Sequence, residues 1–369
     1  MGPVAASVRL SACDCLTPLG DARTTHAALV RGERALRPHP VLGAGGGDSV
    51  PLALLPGRAL DETEPPSWHA PIRAMLEPVA DRPWGSARYP VCVTSSNFGV
   101  GSLYAFRHGG AADFVQHGTP HASVAAIARV CGWGDNIAVF SHACVSAHLG
   151  LLHAARLVAA GAAESVLVFT YDFLSPFVAG GFHALKILNT QMPAPYMARE
   201  NGSIGLGDGA AYAVITRDTG EFVLAAQSLH NEMHHFTANQ ADGSGFAAVL
   251  GCLADETRGL RLWLKGHGTG TLEAGRLEAE ALTGAFPGAP LTGWKGSLGH
   301  TLGSCGLVEL AIAMQSLRSG QAPGTVGSAY PTFNDAVALQ PFATNGHDGV
   351  LCTSNAFGGA HATLLLRHA

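Results

Sequence analysis

Short apolar, β-branched runs alternate with longer Ala- and Leu-rich segments of helical period along the sequence, and that alternation restricts the chain to the α/β class. The runs that read as strands are YPVCVTS (Tyr89–Ser95), NIAVF (Asn136–Phe140), SVLVFT (Ser165–Thr170), AAYAVIT (Ala210–Thr216), LRLWLKG (Leu260–Gly266) and ATLLLR (Ala362–Arg367). VSAHLGLLHAARLVAAGAAE, from Val145, is built of small and aliphatic residues with Gly161 near its end, as a buried helix would be. GLVELAIAMQSLRSGQ, from Gly306, is apolar on most faces and stops at Gly320. The Pro- and Gly-rich stretches 44–66 and 321–331 read as surface loops. GLGDGAAYAVIT and AFGGAHATLLL both run from a glycine-rich turn into an apolar strand, so two similar halves are expected, residues 1–217 and 218–369.

Charge is scarce. Apolar residues make up 47% of the 369 and charged residues 13%, about half the ~25% usual for a soluble domain. A permanent subunit interface would account for such a surface, so an oligomer is expected. Three lysines, a net charge of -5 and the lack of any basic run argue against a nucleic-acid partner. Every apolar run is broken well short of the ~20 residues of a membrane span. The opening MGPVAASVRLSACDC lacks the basic start and apolar centre of a signal peptide, which points to the cytoplasm. The eight cysteines form no repeated CxxC pattern, and Cys13 and Cys15 stand too close together for a zinc ribbon, so reduced, mostly buried thiols and no metal are expected.

Four segments could carry chemistry. In SHACVSAHLG (Ser141–Gly150), Cys144 falls between a strand and a helix. Unpaired N–H groups and the positive helix end would lower its pKa there, though a packed thiol fits the same address. In KGHGTGTLEAGRLEAEAL (Lys265–Leu282), His267 stands in a Gly/Thr turn after a strand, with Thr269 and Thr271 offering hydroxyls to fix the ring and a helix beginning near Arg276. In WKGSLGHTLGSCGLVELAIA (Trp294–Ala313), His300 occupies another glycine-rich turn, with Lys295 before it and Glu309 after it, a pair that could orient the imidazole if buried or lie at the surface. TSNAFGGAHATLLL (Thr353–Leu366) sets Phe357 in a glycine-rich loop whose N–H groups could complete an oxyanion hole with that of Cys144. A thiolate with two imidazoles is what thioester exchange needs.

Taken in order, these segments resemble the β-ketoacyl-acyl carrier protein synthases, condensing enzymes of the thiolase-fold group, and the resemblance runs over nearly the whole chain. CLTPLGDARTTHAALVRGERALRP resembles the family's opening, SSNFGVGSL its glycine turn, SHACVSA its nucleophile motif, KGHGTGT and KGSLGH its two histidine motifs, and NAFGGAH its terminal loop; HHFTANQADGSG, Gly202–Ala211 and Glu278 are fainter echoes. The resemblance implies an α/β thiolase-like αβαβα sandwich of two duplicated, mixed five-stranded sheets. It implies that Cys144 takes an acyl group from the phosphopantetheine of acyl carrier protein, with no separate cofactor. His267 and His300 would assist loss of the malonyl carboxylate and stabilise the enolate. Lys295 would organise the His300 side, Glu309 would anchor it, and Phe357 would be both gate and, with Cys144, oxyanion hole, in a gating loop with Asn355, Ala356, Gly358 and Gly359.

The partners implied are acyl carrier protein and a second subunit, identical or ketosynthase-like. Gly275 stands where the family has Asp, and Asn355 and Ala356 where it has Phe and Gly; His142 and Val145 flank the thiol, and the stretch 165–209 is short. A specialised type II fatty-acid-like, polyketide or polyene pathway is therefore expected over housekeeping elongation. Two alternatives stay open: an acyltransferase to an alcohol or amine, and a chain-length-factor-like subunit shaping a partner's tunnel.

Overall fold

The computed structural model describes residues 8–40, 48–61, 69–199, 202–235 and 237–369. Ten strands form one continuous sheet that divides into two matching sets. The first comprises Val8–Leu16, Val91–Thr94, Ile137–Phe140, Ser165–Asp172 and Gly209–Thr216; the second comprises Phe222–Asn231, Leu262–Lys265, Leu291–Thr292, Gly349–Ala356 and Ala360–His368. Numbered in chain order within each set, both run 3-2-4-5-1 across the sheet. The two outer pairs are parallel and the two inner pairs antiparallel in both. The sets meet only where Val8–Leu10 pairs antiparallel with Phe222–Leu224, so the two sheets expected are here edge-joined.

Strands Ser165–Asp172 and Gly209–Thr216 are buried at every residue, which requires cover on both faces of the sheet. The inner cover is a pair of helices, Ser146–Ala159 and Cys305–Ser319, which touch each other and strands of both sets. Ala147, Ala154, Ala155, Leu307, Leu310 and Ala311 form the core there. Small residues let the two helices and two sheets approach closely, and Gly320 ends the second helix in the left-handed conformation. Helices His69–Leu76 and Pro120–Cys131 pack outside the first set, and Ser244–Gly251 and Leu272–Ala285 outside the second. The result is the αβαβα stack. Among the described residues no helix is long and apolar enough to cross a membrane.

The expected strands all form, with ends shifted by one or two residues. Val8–Leu16 and Gly349–Ala356 escaped notice because Arg9, Ser11 and Asp14 in one, and Thr353, Ser354 and Asn355 in the other, break the apolar pattern. Two loop expectations are corrected. Within 44–66, Ser49–Ala53 is a largely buried strand that pairs with Arg37–Pro40 and Leu206–Gly207; 44–47 and 62–66 lie outside the described residues, as do the first seven residues and Phe236 of the HHFTANQADGSG echo. Within 321–331, Gln321–Ala322 pairs with Phe342–Ala343, and Ala322, Thr325 and Val326 are buried. Pro and Gly mark where the chain turns, not whether the turn is covered.

Leu310 is fully buried between the halves. Leu310→Ala should cost about 2–5 kcal/mol, read as a lower midpoint in urea with an unchanged m-value.

Candidate active site

Cys144 ends a tight elbow between strand Ile137–Phe140 and helix Ser146–Ala159. Ala143 is held at φ +44°, a region non-glycine residues seldom adopt, and Ser146 secures the bend. Its hydroxyl accepts from the His142 N–H at 2.8 Å and donates to the Ala143 carbonyl at 2.6 Å. Asp172 braces the neighbourhood: it accepts from the Ser95 hydroxyl (2.7 Å) and from the Ser96, Asn97 and Ser304 N–H groups. Burial pushes its carboxyl up to about 6 against those bonds. Ser146 and Asp172 carried no sequence signal beyond their residue types.

His300 faces the thiol from the other half, its Nε2 3.0 Å from the Cys144 Sγ. The Leu302 N–H donates to His300 Nδ1 at 3.2 Å, so in the neutral ring the proton is on Nε2 and points at the sulfur. The turn is clasped by Gly205–Gly207: His300 N–H donates to the Gly205 carbonyl at 2.7 Å and Gly207 N–H to the His300 carbonyl at 3.1 Å. A Cβ on Gly299, which has φ +71°, would stand 2.5 Å from the Leu206 carbonyl carbon. Gly202–Ala211, a faint echo in the sequence, is thus the strap that seats His300.

The ring of His267 lies edge-on to that of His300, centroids 4.9 Å apart at 88°. The expectation that Thr269 and Thr271 fix this ring is not met: their hydroxyls lie 3.2 Å from each other and line the cavity, and His267 Nδ1 has no partner among the described residues. Glu278 holds the turn through its backbone, accepting from the His267 N–H (2.7 Å), the Gly268 N–H (2.9 Å), the Tyr196 hydroxyl (2.8 Å), the Thr353 hydroxyl (2.8 Å) and the Asn355 amide (2.9 Å). Its helix starts at Leu272, not near Arg276, which sets Glu278 under the turn, while Gly275 faces the Phe333 ring. Both histidines are pushed well down, first by burial and then by Lys295.

Lys295 and Glu309 are buried and paired, Nζ to Oε1 at 2.6 Å. Lys265, singled out by nothing in the sequence except its place two residues before His267, binds the other Glu309 oxygen. Asn355 and Ala356 are not part of a loop. They end strand Gly349–Ala356, paired with His361 and Ala360, and the loop is only Phe357–Gly359, with Gly358 and Gly359 at positive φ. Phe357 is 37% exposed and stacks on Phe182, centroids 5.9 Å apart.

A cavity of about 270 Å³ opens onto Cys144, His267 and His300, with Phe182, Thr269, Asn355 and Phe357 in its walls. The reactive atoms of the three lie within 4.8 Å of one another. Such a trio could in principle ligate a soft metal, but His300 Nε2 would first have to give up its proton. Burial pushes the Cys144 thiol up and Cys305 adds to the rise, while Lys295 and the Phe357 N–H, which bonds to the sulfur, pull it down. The lowering expected at a helix start does not win: the helix begins two residues later, and the thiol is buried.

The stack is a fold shared with solved ketosynthase structures. A ketosynthase (ApeO) in complex with its chain length factor (ApeC) from Xenorhabdus doucetiae superposes with a TM-score of 0.83 at 20% identity, over 99% of this chain and 98% of that one. A β-ketoacyl synthase from Burkholderia phymatum STM815 gives 0.82 at 21%, over 99% and 100%.

In sequence the chain is related to the β-ketoacyl synthases: residues 223–328 match the family described as β-ketoacyl synthase, C-terminal domain. 3-Oxoacyl-[acyl-carrier-protein] synthase 2 of Vibrio cholerae is 27% identical over 259 residues, 63% of this chain and 62% of its own length. The actinorhodin polyketide putative β-ketoacyl synthase 1 of Streptomyces coelicolor is 25% identical over 276 residues, 68% of this chain and 58% of its own. The chain thus spans less than two thirds of the length of these curated relatives.

Because burial holds Cys144 as a thiol, its alkylation by iodoacetamide should keep rising about tenfold per pH unit through pH 9; a plateau near neutrality would mean a thiolate at rest. Glu278→Ala orphans buried donors on three segments and should cost about 3–5 kcal/mol, measured by thermal and urea unfolding.

Proposed function

We propose that the chain is a β-ketoacyl-acyl carrier protein synthase that condenses an acyl group held on Cys144 with a malonyl thioester, both delivered by acyl carrier protein. The observation that carries this is the 3.0 Å approach of His300 Nε2 to the Cys144 sulfur with His267 beside it.

In the first half-reaction the sulfur attacks the acyl thioester carbonyl, an acyl–S bond forms at Cys144, and the pantetheine thiol leaves with the proton. The N–H groups of Cys144 and Phe357 would hold the oxyanion of the tetrahedral intermediate. In the second, His300 Nε2–H and His267 donate to the malonyl thioester oxygen. The bond to the carboxylate breaks with loss of carbon dioxide, and its electron pair becomes the enolate. The enolate carbon attacks acyl-Cys144, a carbon–carbon bond forms, and the cysteine sulfur leaves. Neutral imidazoles suit this step, because an imidazolium would pair with the malonyl carboxylate and stabilise the reactant instead.

Lys295 and Glu309 seat the His300 side, and Phe357, braced on Phe182, gates the cavity. Substrates arrive on phosphopantetheine and no separate cofactor is needed. The halves 1–217 and 218–369 would supply nucleophile and histidines respectively, and the scarcity of surface charge favours a permanent dimer, identical or with a second ketosynthase-like chain, in the cytoplasm. Gly275, Asn355 and Ala356 favour a specialised fatty-acid-like or polyketide pathway. The intact trio weighs against a non-catalytic tunnel-shaping subunit and against simple acyl transfer.

Incubation with an acyl-carrier-protein thioester should add one acyl mass to the wild type and none to Cys144→Ala. Malonyl-carrier protein should then yield the extended β-ketoacyl product. His300→Ala should retain acylation and lose extension by about 10²-fold or more. Acylation without extension in the wild type would favour transfer to another acceptor, and no acylation would favour the tunnel-shaping subunit.

A further inference from the structure

Glu232 and His361 meet where the chain leaving strand Phe222–Asn231 passes the root of the Phe357–Gly359 loop. Glu232 Oε2 lies 3.4 Å from His361 Nε2, and both side chains are almost wholly buried. Neither atom has another hydrogen-bond partner among the described residues. A Cβ on Gly245 would strike both, so bare backbone closes over the pair.

The other ring nitrogen fixes what lies between them. Glu278 Oε1 accepts the Asn355 amide N–H at 2.9 Å, which turns Asn355 Oδ1 toward His361 Nδ1 at 3.0 Å. An amide oxygen only accepts, so Nδ1 carries a proton, and in a neutral ring Nε2 is then a lone pair facing a carboxylate. Two buried acceptors 3.4 Å apart repel unless a proton lies between them, on the ring or on the carboxyl. Burial pushes the imidazolium down and Glu232 pushes it back up, so the proton belongs to the pair. Other charges nearby are few. His230 stands opposite His361 on the neighbouring strand, and Glu278 lies beyond Asn355. Helix Ser244–Gly251 brings the Phe246 ring, centroids 4.4 Å apart, and no titratable side chain. His234, His235 and Asp242 on the connecting segment are exposed. On the other face of the strand, Ala360 and Ala362 pack with Cys144 and Val145.

The pair sits at two anchors of the cavity. Glu232 donates its N–H to the Gly359 carbonyl at 2.9 Å and accepts the Gln240 N–H on Oε1 at 3.1 Å. Between Glu232 and Gln240, Thr237, Ala238 and Asn239 line the same cavity as Phe357. We propose that Glu232 and His361 are positioning residues that share one buried proton, and that this proton clasps the 237–239 wall to the Phe357–Gly359 loop at the entrance for the acyl arm. The words on the acyl arm rest on the function proposed above; the shared proton does not. Loss of the proton as pH rises leaves a buried carboxylate against a lone pair, so the clasp opens toward alkaline pH.

Glu232→Gln supplies a permanent donor: its amide N–H meets His361 Nε2 while its oxygen keeps the Gln240 N–H. Glu232→Ala removes the clasp, with His361→Phe as a second open variant should the first unfold. The full chain is treated with a bulky maleimide, and modification of Cys144 is followed by peptide mass spectrometry. At about pH 6 the wild type and Glu232→Gln should react at the same slow rate and Glu232→Ala about tenfold faster. The ¹⁵N signals of the His361 ring, assigned with His361→Phe, should show Nδ1 protonated and Nε2 hydrogen-bonded under the same conditions. The ratio of wild-type to Glu232→Gln rates should follow the His361 ring signal as pH is raised. An Nε2 free of any hydrogen bond, a ring signal that titrates without moving that ratio, Glu232→Gln reacting as fast as Glu232→Ala, or all three proteins reacting alike would each overturn the proposal. These outcomes need no carrier protein, so the expected rates in a protein that never condenses would leave the clasp standing and overturn only the proposed reaction.

Discussion

The site depends on one packing event, the closure of helix Ser146–Ala159 against helix Cys305–Ser319 between the two sheets. Cys144 precedes the first helix and His300 precedes the second, so the 3.0 Å from sulfur to imidazole is set by how closely these helices approach. Small side chains at Ala147, Ala154, Ala155 and Ala311 make the approach possible. Apolar burial thus supplies the energy, and the matching order of strands in the two sets supplies the direction, since it brings equivalent helix starts face to face.

Closure also takes polar groups out of water, and carboxylates answer for them. Glu278 gathers donors from the His267 turn, from Tyr196 and from the Thr353–Asn355 strand end, so one side chain fixes a histidine turn and the root of the Phe357 loop together. Asp172 does the same for the 95–97 turn and the start of the second central helix. Glu309 carries the two lysines. Positions on three or four segments are therefore coupled, which is how loops can hold reactive atoms as firmly as a helix would.

Much of this was legible in the sequence. The strand-to-helix alternation gave the class, and the ordered motifs around Cys144, His267, His300 and Phe357 pointed to residues that the fold brings together. What escaped was whatever depends on partners far along the chain. Tyr196 and Glu278 are 82 residues apart and share one hydrogen bond; Lys265 and Glu309, 44 apart, share another. Neither pair has a local spacing rule. The roles given to Thr269 and Thr271 failed because nearness in sequence does not aim a hydroxyl, and Asn355 and Ala356 read as loop because strand pairing with Ala360 and His361 is invisible in composition. The lowering expected for the thiol fails because a helix end is a local feature and burial a global one.

The central claim is that the closed interface presents a single thiol, Cys144, to a thioester on a carrier-protein arm. Cross-linking with an acyl carrier protein whose pantetheine bears a chloroacryl group tests it most directly, since the arm reacts only with a sulfur it can reach. The account predicts a one-to-one adduct mapped by peptide mass spectrometry to Cys144 and absent from Cys144→Ala. An adduct on Cys252, the exposed cysteine, or a cross-link that survives in Cys144→Ala, would contradict it.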